Sequence, residues 1–226
     1  MYRIHIMPEI KIVISDPDAK EEKWLKVILV GDPSLPYGDE EKSGRRLMRA
    51  KIPKIVRDIL RPELGVLSAR VWRSNNEKVN FTLQIASVED VDSLEIKIPA
   101  TFMREKFGEE RIIGEVARAK SYQITLSSDK ARRLYGYKIG DVIEGGLVGL
   151  PGHNLMITGG SDYAGAPMLP TLPGPGKRYV LLSQPPGFRP KEKGLRKRKF
   201  VRGNTISEAT VQVNIVILRK ITSQSS

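Results

Sequence analysis

The sequence predicts a mainly β protein: two small β-rich lobes, barrel-like, with a few short helices and a basic irregular loop. Three observations predict it. Apolar residues come in short runs of four to eight, rich in Val, Ile and aromatics. Helical signals are few and brief. Pro- and Gly-rich connections, and one dense cationic stretch near the C-terminus, interrupt the runs.

In chain order the strand-like runs begin with IKIVIS (10–15) and WLKVILV (24–30). PKIVRDIL (53–60) then reads as a helix, with Pro53 at its first position and Ile55, Val56 and Ile59 on one face. VLSARVW (66–72) and VNFTLQIA (79–86) follow as strands, joined by a hairpin turn over Arg73-Ser74-Asn75-Asn76-Glu77-Lys78. LEIKI (94–98) is a strand. FMREKF (102–107) is a helix stopped by Gly108. RIIGEVA (111–117) and SYQITL (121–126) are strands, and DKARRLYG (129–136) is a helix that Gly136 ends. LMITG (155–159) and YVLLS (179–183) flank AGAPMLPTLPGPG (164–176), which is too rich in Pro and Gly for regular structure. In ATVQVNIVILR (209–219), Val211, Val213, Ile215 and Ile217 share one face, the period of a half-buried strand.

Three stretches (50–71, 96–117 and 124–145) run strand, short helix, then a turn into a strand. They read either as a duplicated barrel-building unit or as the common pattern of any β–α–β segment with a glycine exit.

The 226 residues suffice for one large domain or two small ones. No apolar run approaches the roughly 18 residues of a membrane span, and the N-terminus shows no secretory signal. With no cysteine, disulfides, thiolate chemistry and cysteine-based zinc sites are excluded, and a reducing cytoplasm fits. The two histidines, His5 and His153, have no acidic partner nearby in sequence and no ligand spacing. The acids of GDEEKSG (38–44) and DAKEEK (18–23) read as solvated loop charge. PGPGKR (173–178) and GGLVGLPG (145–152) lack the spacing of phosphate-binding loops. The expectation is a protein with no catalytic residues, metal, cofactor or small-molecule substrate.

Charge is the feature that calls for a partner. Net charge is +12, of which residues 177–226 supply +10 from twelve Lys/Arg and two Asp/Glu. Eight cations fall between Arg189 and Arg202, offset there only by Glu192. A solvated face or tail is the plain alternative. Against it, the run lies inside the chain, is Arg-rich, and carries Tyr179, Phe188 and Phe200 for stacking on bases or packing on the core. Pro185, Pro186, Gly187, Pro190 and Gly194 give it an irregular path. A polyanion is the expected partner, and structured RNA is favoured over DNA because no recognition helix carries the charge. The contact candidates are Phe188, Arg189, Lys191, Lys193, Arg196, Lys197, Arg198, Lys199 and Arg202, with Lys177 and Arg178 in support. RNA would supply the counter-charge and order a loop that is mobile in the free protein.

ITGGSD (157–162), GAPM (165–168), PGFRP (186–190) and the stretch from Gly194 to Ser207 closely resemble the archaeal and eukaryotic ribosomal protein S-six family. The similarity covers most of 119–220. Ala166, Leu195 and Gln184-Pro185 depart from the family pattern and leave the cations intact. The resemblance implies a structural constituent of the small ribosomal subunit that binds ribosomal RNA and neighbouring ribosomal proteins, cytoplasmic within the ribosome. The alternatives are a dissociable RNA-binding assembly factor, or a DNA-binding regulator, since K-I-P-x-x-x-R-x-x-L (51–60) resembles swapped-hairpin barrel regulators. IKIVISDP (10–17), SYQITL and YKIGDVIEG (137–145) resemble parts that short members of the family join almost directly. This implies a discontinuous core domain (7–20 plus 119–221) carrying an inserted β-rich domain (21–118), a disordered tail (222–226), no long basic C-terminal helix, and Met7 as a possible ancestral start.

Overall fold

The computed structural model describes residues 9–19, 23–73, 77–91 and 93–218. The chain divides into two compact units, one of residues 1–15 with 123–226 and one of residues 16–122. Strand β1 (Ile10–Ser15) opens the first unit. The second is built from β2 (Leu25–Asp32), α1 (Asp39–Lys42), β3 (Met48–Pro53), α2 (Lys54–Leu60), β4 (Val66–Trp72), β5 (Lys78–Glu89), β6 (Glu95–Pro99), α3 (Ala100–Phe107) and β7 (Arg111–Arg118). After it come β8 (Ser121–Leu126), α4 (Ser128–Arg132), β9 (Val142–Glu144), a 3₁₀ turn (Gly145–Val148), β10 (Asn154–Asp162), β11 (Lys177–Leu182), β12 (Lys197–Arg202) and β13 (Thr210–Leu218).

The 16–122 unit is a closed six-stranded barrel in the order β2-β6-β3-β5-β4-β7. It consists of two equivalent halves, β2-β3-α2-β4 and β5-β6-α3-β7. The first strand of each half pairs in parallel with the second strand of the other, β2 with β6 and β5 with β3. It also pairs antiparallel with the other's third, β2 with β7 and β5 with β4. Proline ends the middle strand of each half and caps the helix behind it, at Pro53 and Pro99, because it lacks the N–H a strand needs and fits a helix start. The 50–71 and 96–117 stretches occupy equivalent places in the halves, whereas 124–145 contributes β8, α4 and β9 to the other unit. Alternation along the strands sends Leu29, Ile52, Leu67, Leu83, Ile96 and Ile98 into a fully buried core. Phe102 closes one end, edge-on to Tyr37 and Phe81 at 5.3 and 5.1 Å.

In the other unit, five strands order as β8-β1-β13-β10-β9. Among the described residues this sheet is open, and the closed barrel is that of the 16–122 unit. β1 and β13 run parallel, and β10 lies antiparallel to β13 with irregularities after Ile157 and after Ser161. Ile10, Ile12, Ile14, Leu155, Ile157, Val213 and Ile215 form the buried face. β11 and β12 form a separate two-stranded ribbon.

Four local expectations are corrected. Pro53 is the cap of α2 rather than its first residue, and Val56 and Leu60 face the core while Ile55 and Ile59 are exposed. The helix expected over 129–136 closes after Arg132, and turns carry the chain to Gly136. Residues 39–42, expected as loop, make one helical turn whose first residues are all acidic, which suits the positive end of a helix. Half of the basic loop is strand: Lys197–Arg202 is β12. Residues 74–76 of the expected hairpin, His5, Met7 and the 222–226 tail lie outside the described residues. On either side of that turn, Trp72 pairs with Lys78.

Candidate nucleic-acid interface

The β11–β12 ribbon is antiparallel, and its register decides which side chains meet. Lys197 stands opposite Leu182, Arg198 opposite Leu181, Lys199 opposite Val180, Phe200 opposite Tyr179, and Val201 opposite Arg178. Cations directly opposite one another destabilise a strand pair, and this register opposes a cation to an apolar side chain in four of six pairs and sets two aromatic rings together in a fifth. The sixth pair is Lys177 with Arg202. There Asp162, whose side chain is fully buried, supplies the missing charge. Its Oδ2 lies 3.1 Å from Lys177 Nζ and 3.2 Å from Arg202 Nε. Its Oδ1 accepts from the backbone N–H groups of Ala164 and Ala166 at 2.9 and 2.8 Å. Burial pushes the Asp162 carboxyl up, and the bonds from Ala166, Lys177, Arg202 and Ala164 together outweigh it and hold the group below its ordinary value.

One face of the ribbon buries Leu182 and Val201 and half-buries Val180. The opposite face presents Tyr179 and Phe200, whose ring centroids are 4.8 Å apart and which are 55% and 57% exposed. Lys177 Nζ also lies 5.5 Å from the Phe200 ring and 5.8 Å from that of Tyr163. The tip, residues 183–196, starts with a cis Pro185-Pro186 bond and turns through Gly187 and Gly194, both at positive φ. Phe188 is half-buried, and Arg189 through Arg196 are all exposed.

The foot of the ribbon is held by the Pro- and Gly-rich loop. Arg202 N–H donates to Pro167 O at 2.8 Å, and its carbonyl accepts from Leu169 N–H at 2.8 Å. Its guanidinium donates to Pro175 O at 2.8 Å. Gly203 N–H donates to Gly176 O, and Asn204 N–H donates to Leu172 O. At Gly203 a Cβ would lie 1.8 Å from Gly174 O, so only glycine lets these backbones touch. The VRGN run (201–204) is therefore a docking segment for the loop.

This sorts the ten predicted cations. Lys177 and Arg202 are tied to Asp162. Among the described residues the other eight, Arg178, Arg189, Lys191, Lys193, Arg196, Lys197, Arg198 and Lys199, take part in no ion pair. Sequence reasoning missed Asp162 as the anchor, although an acid closing a Gly-rich strand within ITGGSD was a signal. Among the described residues no three His, Cys, Asp or Glu side chains are grouped to hold a metal ion, and no helix is long and apolar enough to cross a membrane. His153 sits in the expected turn, its Nδ1 3.3 Å from Pro151 O.

Fold and site define a class: a mainly β protein whose excess cations are gathered on one anchored ribbon. Comparison with known proteins narrows it. The profile of the family described as Ribosomal protein S6e matches residues 110–224. Small ribosomal subunit protein eS6 of Hyperthermus butylicus is 48% identical over 213 residues, 94% of this chain and 98% of that one. The proteins of the same name from Staphylothermus marinus and Aeropyrum pernix are 41% and 35% identical, covering 93% of this chain in each case and 99% and 95% of theirs. The chain belongs to the ribosomal protein S6e family.

Proposed function

We propose that this chain is a non-enzymatic, structural constituent of the small ribosomal subunit, and that the ribbon and its tip grip ribosomal RNA. The observation that carries the reading is the set of eight exposed, unpaired cations on a ribbon fixed at its foot. Family membership supplies the setting, since the relatives are named as small-subunit proteins. The free cations meet phosphates, mostly fixing position rather than reading sequence. Tyr179, Phe200 and Phe188 offer surfaces to bases where strands diverge. Lys177 and Arg202 act from below, holding the ribbon's foot to Asp162. Neighbouring ribosomal proteins and RNA are the partners, and the working location is the cytoplasmic ribosome.

The 16–122 barrel is read as an insertion at a surface hairpin of the S6e core, close to the 21–118 limits expected from sequence. β1 and β8 are neighbours in one sheet although the whole barrel lies between them in the chain, and hairpin tips tolerate such insertion.

Salt dependence of binding to a small-subunit RNA fragment tests the ribbon. Eight phosphate contacts give a log–log slope of about −6 to −7, at 0.7 to 0.9 per contact. Replacing Arg196, Lys197, Arg198 and Lys199 together with Ala reduces the slope by roughly 3 to 4 and leaves the fold intact. A slope near zero in the parent chain, or an unchanged one in the variant, refutes the reading.

A further inference from the structure

The barrel's outer surface carries a feature that its core does not explain. Trp24 and Trp72 are the chain's two tryptophans, and both stand outside the barrel, Trp72 about half exposed at 49%. Arg70 lies between them, its guanidinium carbon 3.8 Å from the Trp24 ring centre and 5.9 Å from that of Trp72. Glu115 holds Arg70 in place through an oxygen 2.5 Å away. Lys78 Nζ is 5.9 Å from the Trp72 ring. Beside this stack opens a groove of about 470 Å³ whose lining includes Trp24, Arg70, Lys78, Asn80, Arg118 and Lys120 and contains no Asp or Glu. The 16–122 unit as a whole is close to neutral, with 20 Lys/Arg against 19 Asp/Glu. Of the groove's cations, Arg70 is paired with Glu115 and Arg118 with Asp16 and Glu63, while Lys78 is in no ion pair among the described residues.

We propose that this groove binds a short unpaired RNA segment, independently of the ribbon. Trp24 in the lining, one face covered by Arg70, and the half-exposed Trp72 beside the groove offer indole faces that can stack on bases. Lys78 stands at the rim to meet a phosphate between those bases. Asn80, Thr82 and Ser121 offer hydrogen bonds along the groove. The volume falls in the ~300–1,000 Å³ range of sites that enclose small ligands, which suits a short segment and not a duplex. Lys78 at the rim offers a cation to a phosphate, and the indoles select a ligand with aromatic bases.

Both tryptophans lie in the 16–122 unit, so their fluorescence in the full chain reports this groove and is silent to the ribbon. Unpaired RNA hexamers are expected to quench it, whereas inorganic polyphosphate and duplex RNA are not. Trp72→Ala is expected to weaken hexamer binding by roughly 5- to 100-fold, the range for losing one base stack, and Trp72→Phe to restore most of it. The variant lacking the four cations from Arg196 to Lys199 keeps the quench. That arm separates this inference from the ribbon reading. Absence of quench at RNA concentrations that saturate the full chain overturns the proposal. So does equal quench by polyphosphate, a response to DNA hexamers but not RNA, or a protein cross-linked to Trp72 in purified small subunits.

Discussion

Asp162 should be the residue on which the ribbon depends. Its side chain is fully buried, and its two oxygens accept four donors: two backbone N–H groups at 2.8 and 2.9 Å, and two cations at 3.1 and 3.2 Å. Each charge-assisted bond contributes about 1.5–3 kcal/mol, and each buried N–H left without an acceptor costs about 1–3. These do not add, because the groups relax together. Breaking a buried pair by removing one partner costs about 3–5 kcal/mol in total, and that is the expectation for Asp162→Ala. Asp162→Asn, which keeps an acceptor for the two N–H groups but turns an amide donor toward Arg202 or Lys177, should lose about 2–4. Urea unfolding followed by far-UV circular dichroism measures the loss, and tryptophan fluorescence, which reports only the barrel unit, should stay in place. Adding Arg202→Met to Asp162→Asn should recover part of the loss, since the cation no longer needs a counter-charge. Because the folded carboxyl holds its proton less tightly than the unfolded one, this stability is full above about pH 4 and falls as pH drops through the folded value. Asp162→Asn should flatten that acid slope. An Asp162→Ala midpoint within about 1 kcal/mol of the parent refutes the anchoring argument.

The barrel has its own acid-sensitive pair. The Asp32 carboxyl is held down to about 2, first by its hydrogen bond from Lys51 at 2.8 Å, then by bonds from Ser34. Asp32→Asn should cost about 1–2 kcal/mol at pH 7, after discounting for solvent, and progressively less as pH falls from about 4 through about 2, read by tryptophan fluorescence. The neighbouring glycines of ITGGSD should differ sharply. A Cβ at Gly160 would lie 2.3 Å from Gln212 O, while one at Gly159 meets nothing within 4 Å. Gly160→Ala should therefore cost on the order of 1–3 kcal/mol or prevent folding, and Gly159→Ala should stay within about 0.5–1 kcal/mol of the parent in the same urea assay.

Local pattern made most of the strands legible, and where it failed the reason is physical. β3 and β9 were legible only as strand ends of the 50–71 and 124–145 stretches, not as periodic runs: MRAKIP has two cations and a proline, which point away from the barrel core or end the strand, and β9 has three residues, too few for any period. β12 was hidden by its charge: in KRKFVR only Val201 is fully buried, so no alternation of apolar side chains survives. Its strand character comes from pairing with β11. A barrel was expected, but its strand order was out of reach, because the parallel pairings β2–β6 and β3–β5 join segments far apart in sequence. For the site, the cations themselves were plain. Their division into anchoring and free sets was not, since it depends on an acid 40 residues from Arg202.

That division answers the difficulty the basic run poses. Like charges a few ångströms apart in water repel by about 1 kcal/mol per pair, and salt screens them beyond roughly 8–10 Å. Such a cost is tolerable if no two cations are forced face to face. The register meets that condition by geometry, alternating charge on β12 with apolar partners on β11. The one opposed cation pair coincides with the one buried carboxylate. A slip of one residue would lose both arrangements and turn Leu182 and Val201 outward. The strands of the ribbon are thus supported by their own pairing and burial. Only the tip, exposed from Arg189 to Arg196, lacks internal support. A polyanion bound as proposed would meet a ribbon whose strands are already paired, so the ordering entropy left to binding would be that of the tip alone.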